Sequence, residues 1–224
     1  PAEWPDIILR LARELDAPIA VHVYNWHAIP FDTDYPDYFP TKPGVPEMVR
    51  ALRDGGVGVF PYINARLWDV NAPSWRAEGA EHWAAKGSAQ RAEPRTIFPY
   101  LEEYGSGQKL AAMCPATEFW QEKVAAVCER IKTDLGVSGI YLDQVGAASA
   151  LLCFDPEHGH SLGGGGFWTS GYHALMDRVR GRVGDDFPLL TECNAETCIG
   201  DFDALLTWHC YPDRQQPMFP AAYG

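Results

Sequence analysis

The 224-residue sequence contains 46% hydrophobic and 12% aromatic residues and has a formal net charge of −12 at pH 7. This length and apolar content predict one folded domain or nearly so, and they exclude a disordered chain. The acidic charge argues against nucleic acid and against an anionic membrane surface as partners, because both require a basic face.

The first part of the chain alternates helices and strands. Residues 5–15 have helical periodicity and are followed, after Pro18, by a β-rich run over 19–27. A short helix over 46–54 ends at two glycines and leads into a second strand over 57–64. A helix before each strand is typical of a parallel α/β sheet.

Polar and aromatic residues stand where these first two strands end. Trp26 and His27 follow the first strand, and Asn64, Arg66 and Trp68 follow the second. The carboxyl ends of parallel strands meet at one edge of a sheet, so we expect these side chains to form a shared rim. Together with Tyr62 they are predicted to bind the substrate.

The alternating pattern lapses over residues 70–115. Residues 96–113 contain a Gly-Ser-Gly turn between two apolar runs and predict a hairpin. We interpret 70–115 as an insertion that lies over the site. Its tryptophans, Trp75 and Trp83, are expected mainly to pack a small core of the insertion.

The pattern resumes in the second half of the chain. Residues 117–135 form the clearest helix, and residues 137–142 form an apolar strand that ends on Asp143. A helix over 167–183 precedes a strand that ends on Glu192. A last strand, over 202–209, ends on Trp208 and His209, which join the predicted substrate-binding set.

Five strands with intervening helices predict an α/β fold of the (β/α)8 TIM-barrel type. A complete barrel usually needs ~250 residues, and part of this chain is assigned to an insertion. We therefore expect a partial barrel formed by residues 1–224, belonging to a longer protein.

Asp143 and Glu192 are the predicted catalytic pair. Neighbouring strands lie ~4.8 Å apart, so carboxyl groups on adjacent strand ends can approach to ~5 to 6 Å, the separation of a retaining glycosidase. Glu196 competes with Glu192 for the acid role, but a strand end is a more rigid mount than a loop.

The His158-Gly-His160 loop has two interpretations. Two imidazoles separated by one residue can share a metal ion, yet no cysteine or carboxylate stands at a supporting spacing. The histidines are therefore assigned to sugar hydroxyls, and neither a metal nor a cofactor is predicted. The six cysteines form no CxxC pair and are expected to be free and structural.

Six short stretches of the sequence together carry a resemblance to a known family: Tyr-Asn-Trp-His at 24–27, Pro-Tyr-Ile-Asn-Ala-Arg-Leu-Trp-Asp at 61–69, Met-Cys-Pro at 113–115, Gly-Ile-Tyr-Leu-Asp-Gln at 139–144, Asp-Pro-Glu-His-Gly-His at 155–160 and Thr-Glu-Cys-Asn-Ala-Glu at 191–196. With these stretches the sequence is similar to a bacterial barrel family that itself resembles the α-retaining glycoside hydrolases, including the endo-α-N-acetylgalactosaminidase type. The resemblance implies that Asp143 matches the nucleophile on the fourth strand and that Glu192 matches the acid/base on the next.

Two other functions remain open at this stage. One is a metal-dependent barrel hydrolase that uses His22, His27, His158 and His160. The other is a non-catalytic barrel that binds carbohydrate. The expected partner in the leading hypothesis is a carbohydrate substrate, with no nucleic acid or membrane.

The sequence carries no bilayer-spanning run of ~18 apolar residues and no signal peptide. A soluble protein is expected, with the cytoplasm slightly favoured. Export stays open, because the sequence begins and ends as if cut from a longer chain.

Overall fold

Alternating strands and helices make up the part of the chain that the computed structural model describes, which is residues 3–89, 96–193 and 195–206. Three 3-10 turns accompany them, over Ala80–Trp83, Pro156–His158 and Glu196–Cys198. The helices and strands in chain order are α1 (Trp4–Leu15), β1 (Ala20–Val23), α2 (Val45–Asp54), β2 (Gly58–Asn64), β3 (Leu67–Asp69), α3 (Pro73–Ala77), β4 (Lys86–Ser88), β5 (Ile97–Pro99), β6 (Leu101–Glu103), β7 (Lys109–Ala112), α4 (Glu118–Leu135), β8 (Ile140–Asp143), α5 (Phe167–Val183), β9 (Leu189–Glu192) and β10 (Ala204–Leu206).

A five-stranded parallel sheet in the order β1-β2-β8-β9-β10 forms the centre of the molecule. Helices α2, α4 and α5 lie in the connections between its first four strands, whereas the 3-10 turn Glu196–Cys198 lies between β9 and β10. The predicted α/β class is confirmed, and the sheet corresponds to half of a barrel. A closed ring of eight strands is not shown by the described residues.

The strand register brings the predicted site residues to one edge of this sheet. Asn64 at the end of β2 pairs with Asp143 at the end of β8. Leu142 pairs with Thr191 of β9, so Glu192 follows at the level of Asp143. The Thr191 hydroxyl donates a 2.7 Å hydrogen bond to the Leu142 carbonyl and fixes this register. The predicted strand end at Trp208 and His209 lies outside the described residues.

The helices cover the sheet with the apolar faces that the sequence predicted. Val124 and Ile131 of α4 are buried, and α4 ends at Gly136, whose φ of 61° is left-handed. Helix α1 instead leaves Trp4 and Leu11 about half exposed, at 52% and 46%. Among the described helices, none combines the length and the apolarity needed to cross a bilayer.

The segment between β2 and α4 forms its own small sheets. Strands β3, β7 and β6 are antiparallel, and β4 pairs with β5. The β6–β7 pair confirms the predicted hairpin. Trp68 and Trp75 pack edge to face, with ring centroids 6.4 Å apart, and Trp68 also packs on Phe119 and Trp120 of α4. The tryptophans therefore belong to the main core, and the expectation that Trp75 and Trp83 pack a separate core of the segment is wrong. That residues 70–115 are an insertion relative to other barrels stays a prediction.

Candidate active site

Asp143 and Glu192 face one pocket of about 570 Å³ above the carboxyl edge of the sheet. This volume falls within the range of ~300 to 1,000 Å³ that small-molecule sites occupy. Three parts of the chain form the walls of the pocket. They are the loop after β1, the carboxyl ends of three strands (β2, β8 and β9) and the hairpin. The other lining residues are Tyr24, Asn25, Phe31, Asp32, Tyr62, Tyr104 and Gln144.

The environment of Asp143 favours its protonated form. Burial and then the charge of Glu192 raise the pKa of Asp143 to about 7, while a hydrogen bond from Tyr62 acts in the opposite direction. That bond joins the Tyr62 hydroxyl to Oδ2 of Asp143 over 2.8 Å. Asp143 is therefore mainly protonated below about pH 7.

Tight backbone turns follow both carboxylates. Gln144, after Asp143, has a φ of 66°, and Cys193, after Glu192, has a φ of 61°. Left-handed residues at these positions redirect the chain as each strand ends. Gly146 is needed in the first turn, because a Cβ there would lie 2.6 Å from the carbonyl oxygen of Glu192. The loop after β8 thus passes directly over the end of β9.

Aromatic side chains form the open walls of the pocket. Tyr24, Phe31 and Tyr104 keep 37%, 37% and 38% of their surfaces exposed. Tyr24 stacks on Tyr62 with centroids 5.0 Å apart, and Phe31 lies 5.2 Å from the same ring. Exposed aromatic faces beside carboxyl groups suit the apolar faces and hydroxyls of a sugar.

A polar network fastens the hairpin to the sheet edge. Arg66, whose side chain is 4% exposed, pairs with Glu102 of β6 over 2.6 Å. Tyr104 donates to Glu102 over 2.6 Å and accepts from Nε2 of Gln144 over 2.9 Å. Burial alone would raise the pKa of Glu102, but the bonds from Arg66 and Tyr104 outweigh it and lower that pKa. The hairpin is therefore held against the residue that follows Asp143.

Other residues predicted to bind substrate are buried and do not line the pocket. Trp26 is fully buried and donates from Nε1 to the Tyr62 carbonyl over 2.7 Å. His27 is also fully buried, with Nδ1 2.8 Å from the Ile29 carbonyl oxygen. Trp68 is fully buried and donates to the Ser74 hydroxyl over 3.1 Å. As placed here, Trp26 supports the strand that carries Tyr62.

Asn64 organises the chain at the end of β2. Its side-chain oxygen accepts from the backbone N–H groups of Arg66 and Leu67, each over 2.9 Å. This turn aims Arg66 towards the hairpin. Of the remaining predicted residues, Glu196 is exposed and begins a 3-10 turn, whereas Trp208 and His209 are outside the described residues.

His158 and His160 lie away from the pocket lining, beside two cysteines. Nδ1 of His158 is 3.5 Å from Sγ of Cys153, and Nε2 of His160 is 3.4 Å from Sγ of Cys114. The ligand atoms of all four residues lie within 4.8 Å of one another. Their assignment to sugar hydroxyls stays a prediction without a contact to the pocket. Free thiols are confirmed at these two positions and at Cys128, Cys193 and Cys198.

Several lining residues were not predicted from the sequence. Gln144 directly follows Asp143, and Tyr24 stands two residues before Trp26, so position at a strand exit could have indicated both. Tyr104 carries no such signal, because only the pairing of β6 with β7 brings it to the sheet edge. Cys114 and Cys153 are far apart in sequence and carry no spacing signal.

Sequence comparisons place the chain among glycoside hydrolase relatives. Residues 2–224 match the family model described as "Domain of unknown function (DUF6259)". A "Putative glycoside hydrolase" of Bacteroides thetaiotaomicron is 33% identical over 227 residues, which cover 100% of this chain and 33% of the relative. "Putative glycoside hydrolase 22789" of Monosiga brevicollis is 32% identical over 237 residues, which cover 98% of this chain and 20% of the relative. The resemblance to glycoside hydrolases is confirmed, and the chain spans a third or less of these relatives.

Solved structures share the fold. The ligand-free alpha-N-acetylgalactosaminidase NagBb from Bifidobacterium bifidum superposes with a TM-score of 0.70 at 14% identity, over 96% of this chain and 34% of that chain. TtGalA, the alpha-galactosidase from Thermus thermophilus, superposes with a TM-score of 0.61 at 19% identity, over 90% of this chain and 37% of that chain. At these identities the similarity concerns the fold alone.

Proposed function

Since the chain belongs to the DUF6259 domain family, we propose that it carries the catalytic residues of a retaining glycoside hydrolase that cleaves an α-linked sugar. One observation supports this most directly. Asp143 and Glu192 end adjacent parallel strands and line the same aromatic-walled pocket. The relatives described as glycoside hydrolases agree with the proposal.

In the proposed reaction Asp143 is the nucleophile and Glu192 the acid/base. Asp143 attacks the anomeric carbon while Glu192 protonates the departing oxygen, and a covalent glycosyl-enzyme forms. Glu192 then removes a proton from water, which attacks the anomeric carbon and releases Asp143. Two inversions leave the product with the configuration of the substrate.

The proposed chemistry requires one particular protonation state of Asp143 and Glu192. The pair must hold a single proton, located on Glu192 when the bond breaks. Burial favours the proton on Asp143, and the hydrogen bond from Tyr62 favours the ionised Asp143 that the attack requires. Tyr62 therefore assists the reactive arrangement.

The substrate class follows from the pocket and from the relatives. Tyr24, Phe31 and Tyr104 offer apolar faces, and Asp32 and Gln144 offer groups that bind hydroxyls. The superposed enzymes are described as alpha-N-acetylgalactosaminidase and alpha-galactosidase. Aryl α-N-acetylgalactosaminides and aryl α-galactosides are therefore the first substrates to test.

The deciding experiment compares three variants on an aryl glycoside. Asp143→Ala should lose nearly all turnover, and azide should restore part of it as a glycosyl azide of inverted configuration. Glu192→Ala should lose least with acidic phenol leaving groups, which need little proton donation. Glu196→Gln separates the two candidates for the acid: it should keep its activity if Glu192 is the acid/base and lose it if Glu196 is.

Three results would contradict the proposal. NMR that shows the first-formed sugar with inverted configuration would exclude retention. A glycosyl azide of inverted configuration formed by Glu192→Ala, instead of by Asp143→Ala, would reverse the two roles. Wild-type protein that binds glycans without turnover, with binding kept by Asp143→Asn, would favour the carbohydrate-binding alternative.

A further inference from the structure

Four potential metal ligands converge on the side of the sheet edge away from the pocket lining. Cys114 follows β7, while Cys153, His158 and His160 belong to the loop between β8 and α5. Their ligand atoms lie within 4.8 Å of one another. We propose that Cys114, Cys153, His158 and His160 bind one structural Zn²⁺ ion. This differs from the sequence-based expectation that no residue binds a metal.

The measured spacing fits a tetrahedral zinc site. Zinc bonds of about 2.3 Å to sulfur and about 2.0 Å to nitrogen, at tetrahedral angles, separate a sulfur and a nitrogen ligand by roughly 3.5 Å. The two sulfur–nitrogen distances are 3.4 Å, from Cys114 to His160, and 3.5 Å, from Cys153 to His158. Small side-chain movements are enough to admit the ion.

The remaining ring nitrogens are anchored as metal-binding histidines require. Nε2 of His158 lies 2.8 Å from the His82 carbonyl oxygen, and Nδ1 of His160 lies 2.9 Å from the Ser161 carbonyl oxygen. A carbonyl oxygen only accepts, so each of these nitrogens carries the proton. The nitrogen facing the thiols then presents its lone pair, which is the tautomer that binds a metal.

Burial favours a closed site with two thiolates. Cys114 and Cys153 are fully buried, His158 is 5% exposed, and the His160 ring stacks on Phe167 at 3.9 Å. Two thiolates neutralise the charge of Zn²⁺, so the occupied site places no net charge in the interior. A backbone N–H, that of Lys86, already donates to Sγ of Cys153 over 3.4 Å. Four protein ligands with no open position are typical of structural zinc.

The ion would join two parts of the chain that shape the pocket. Cys114 ends the segment that contains the hairpin, and the other ligands fix the loop that begins at Gln144. Binding forms two zinc–sulfur and two zinc–nitrogen bonds, and the thiol protons pass to solvent. None of the four residues lines the pocket, so this inference stands independently of the proposed function.

Metal content and cobalt spectra test the site without any substrate. Wild-type chain purified without chelators should contain one zinc per chain by mass spectrometry. Cobalt added to the zinc-free chain should give the intense visible bands of a tetrahedral thiolate site. The Cys114→Ser/Cys153→Ser double variant should lose both signals. Cys198→Ser removes a buried thiol outside the cluster and should keep both.

The double variant would also lose both signals if it failed to fold. His160→Ala separates the two explanations, because His160 is the least buried ligand and its replacement disturbs the fold least. It should still bind cobalt, more weakly and with a shifted spectrum, since three ligands remain. A chelator should lower the melting temperature of the wild type and leave that of the double variant unchanged. Wild-type chain that retains no zinc and gives no cobalt bands would overturn the proposal. A Cys114–Cys153 disulfide found by mass spectrometry would also overturn it.

Discussion

The Tyr62 hydroxyl donates a 2.8 Å hydrogen bond to Oδ2 of Asp143 across adjacent parallel strands. Tyr62 is almost fully buried, so its position is set by the core beneath the pocket. Burial raises the pKa of Tyr62 far above its ordinary value, so its hydroxyl keeps its proton and acts as a donor over the whole working pH range. A rigid neighbour therefore favours the ionised form of Asp143, against the opposing effects of burial and of the charge on Glu192.

We expect Tyr62→Phe to shift the pH profile of turnover. The pair needs one proton, so activity should fall as pH rises through about 7, where Asp143 loses its proton in the folded chain. The Tyr62 bond lowers that pKa, so its removal should move the falling limb to higher pH. Activity should also drop about 10-fold or more, because a hydrogen bond to a charged group is lost.

The profile of kcat/KM from about pH 4 to about pH 9 measures this shift. Tyr24→Phe is the control, since Tyr24 also lines the pocket and its ring is retained. Its falling limb should stay in place. A Tyr62→Phe limb that coincides with the wild-type limb would refute a role for this bond in setting the pKa.

Asp143→Asn should stabilise the chain by an amount that grows as pH rises from about 4 to about 7. Asp143 loses its proton near pH 3.8 when unfolded and near pH 7 when folded. Its contribution to stability is therefore full below about pH 4, falls as pH rises towards 7 and stays lost above it. Asparagine carries no charge, so the variant should exceed the wild type by up to about 4 kcal/mol at about pH 8 and match it at about pH 4. Urea denaturation at both pH values measures the difference, and a constant difference would contradict this argument.

Tyr104→Phe should weaken substrate binding more than it slows the chemical step. The substitution removes the bonds to Glu102 and Gln144 and frees the hairpin tip that walls the pocket. A several-fold rise in KM with kcat nearly unchanged is expected, since each lost bond is worth about 1 kcal/mol. Tyr100→Phe also loses a hydroxyl bond, to the Leu152 carbonyl at 2.8 Å, but does not line the pocket, and its KM should be unchanged. Equal effects of the two variants would argue against a substrate role for the tip.

Two glycines of α5 should respond to alanine with opposite signs. A Cβ on Gly171 would lie 2.6 Å from the backbone of Pro115, so Gly171→Ala should cost about 1 to 3 kcal/mol. Gly181 is exposed and has open space around it, so Gly181→Ala should gain up to about 1 kcal/mol from helix propensity. Denaturation of both variants measures the pair. Stabilisation by Gly171→Ala would show that α5 and the residues after Cys114 are not in close contact.

The sheet, and the edge where Asp143 and Glu192 lie, were predictable because short-range rules govern them. One apolar run ends on Asp143 and another ends on Glu192. Both runs are buried when they form adjacent parallel strands, which places the two carboxyl groups at one edge of the sheet. The hairpin was likewise predictable from its glycine turn. Each of these features depends on residues close together in the sequence.

Two tryptophans that were predicted to bind substrate are buried, because the exposure of a side chain depends on distant residues that cover it. Trp26 and Trp68 stand at strand exits, yet the loop after β1 and helix α4 bury both. The pocket walls are formed instead by Tyr24, Phe31 and Tyr104. The cluster of Cys114 with His160 depends on folding a distant segment against a loop, which no local spacing encodes.

The ion pair between Arg66 and Glu102 joins two stretches of chain that contribute different residues to the pocket. The carboxyl groups belong to the parallel sheet, which has no freedom to vary without losing its core. Tyr104 belongs to a hairpin that side-chain bonds hold against the sheet edge. Under the proposed function, evolution can exchange the tip of the hairpin, and with it the sugar that fits, while Asp143 and Glu192 stay in place.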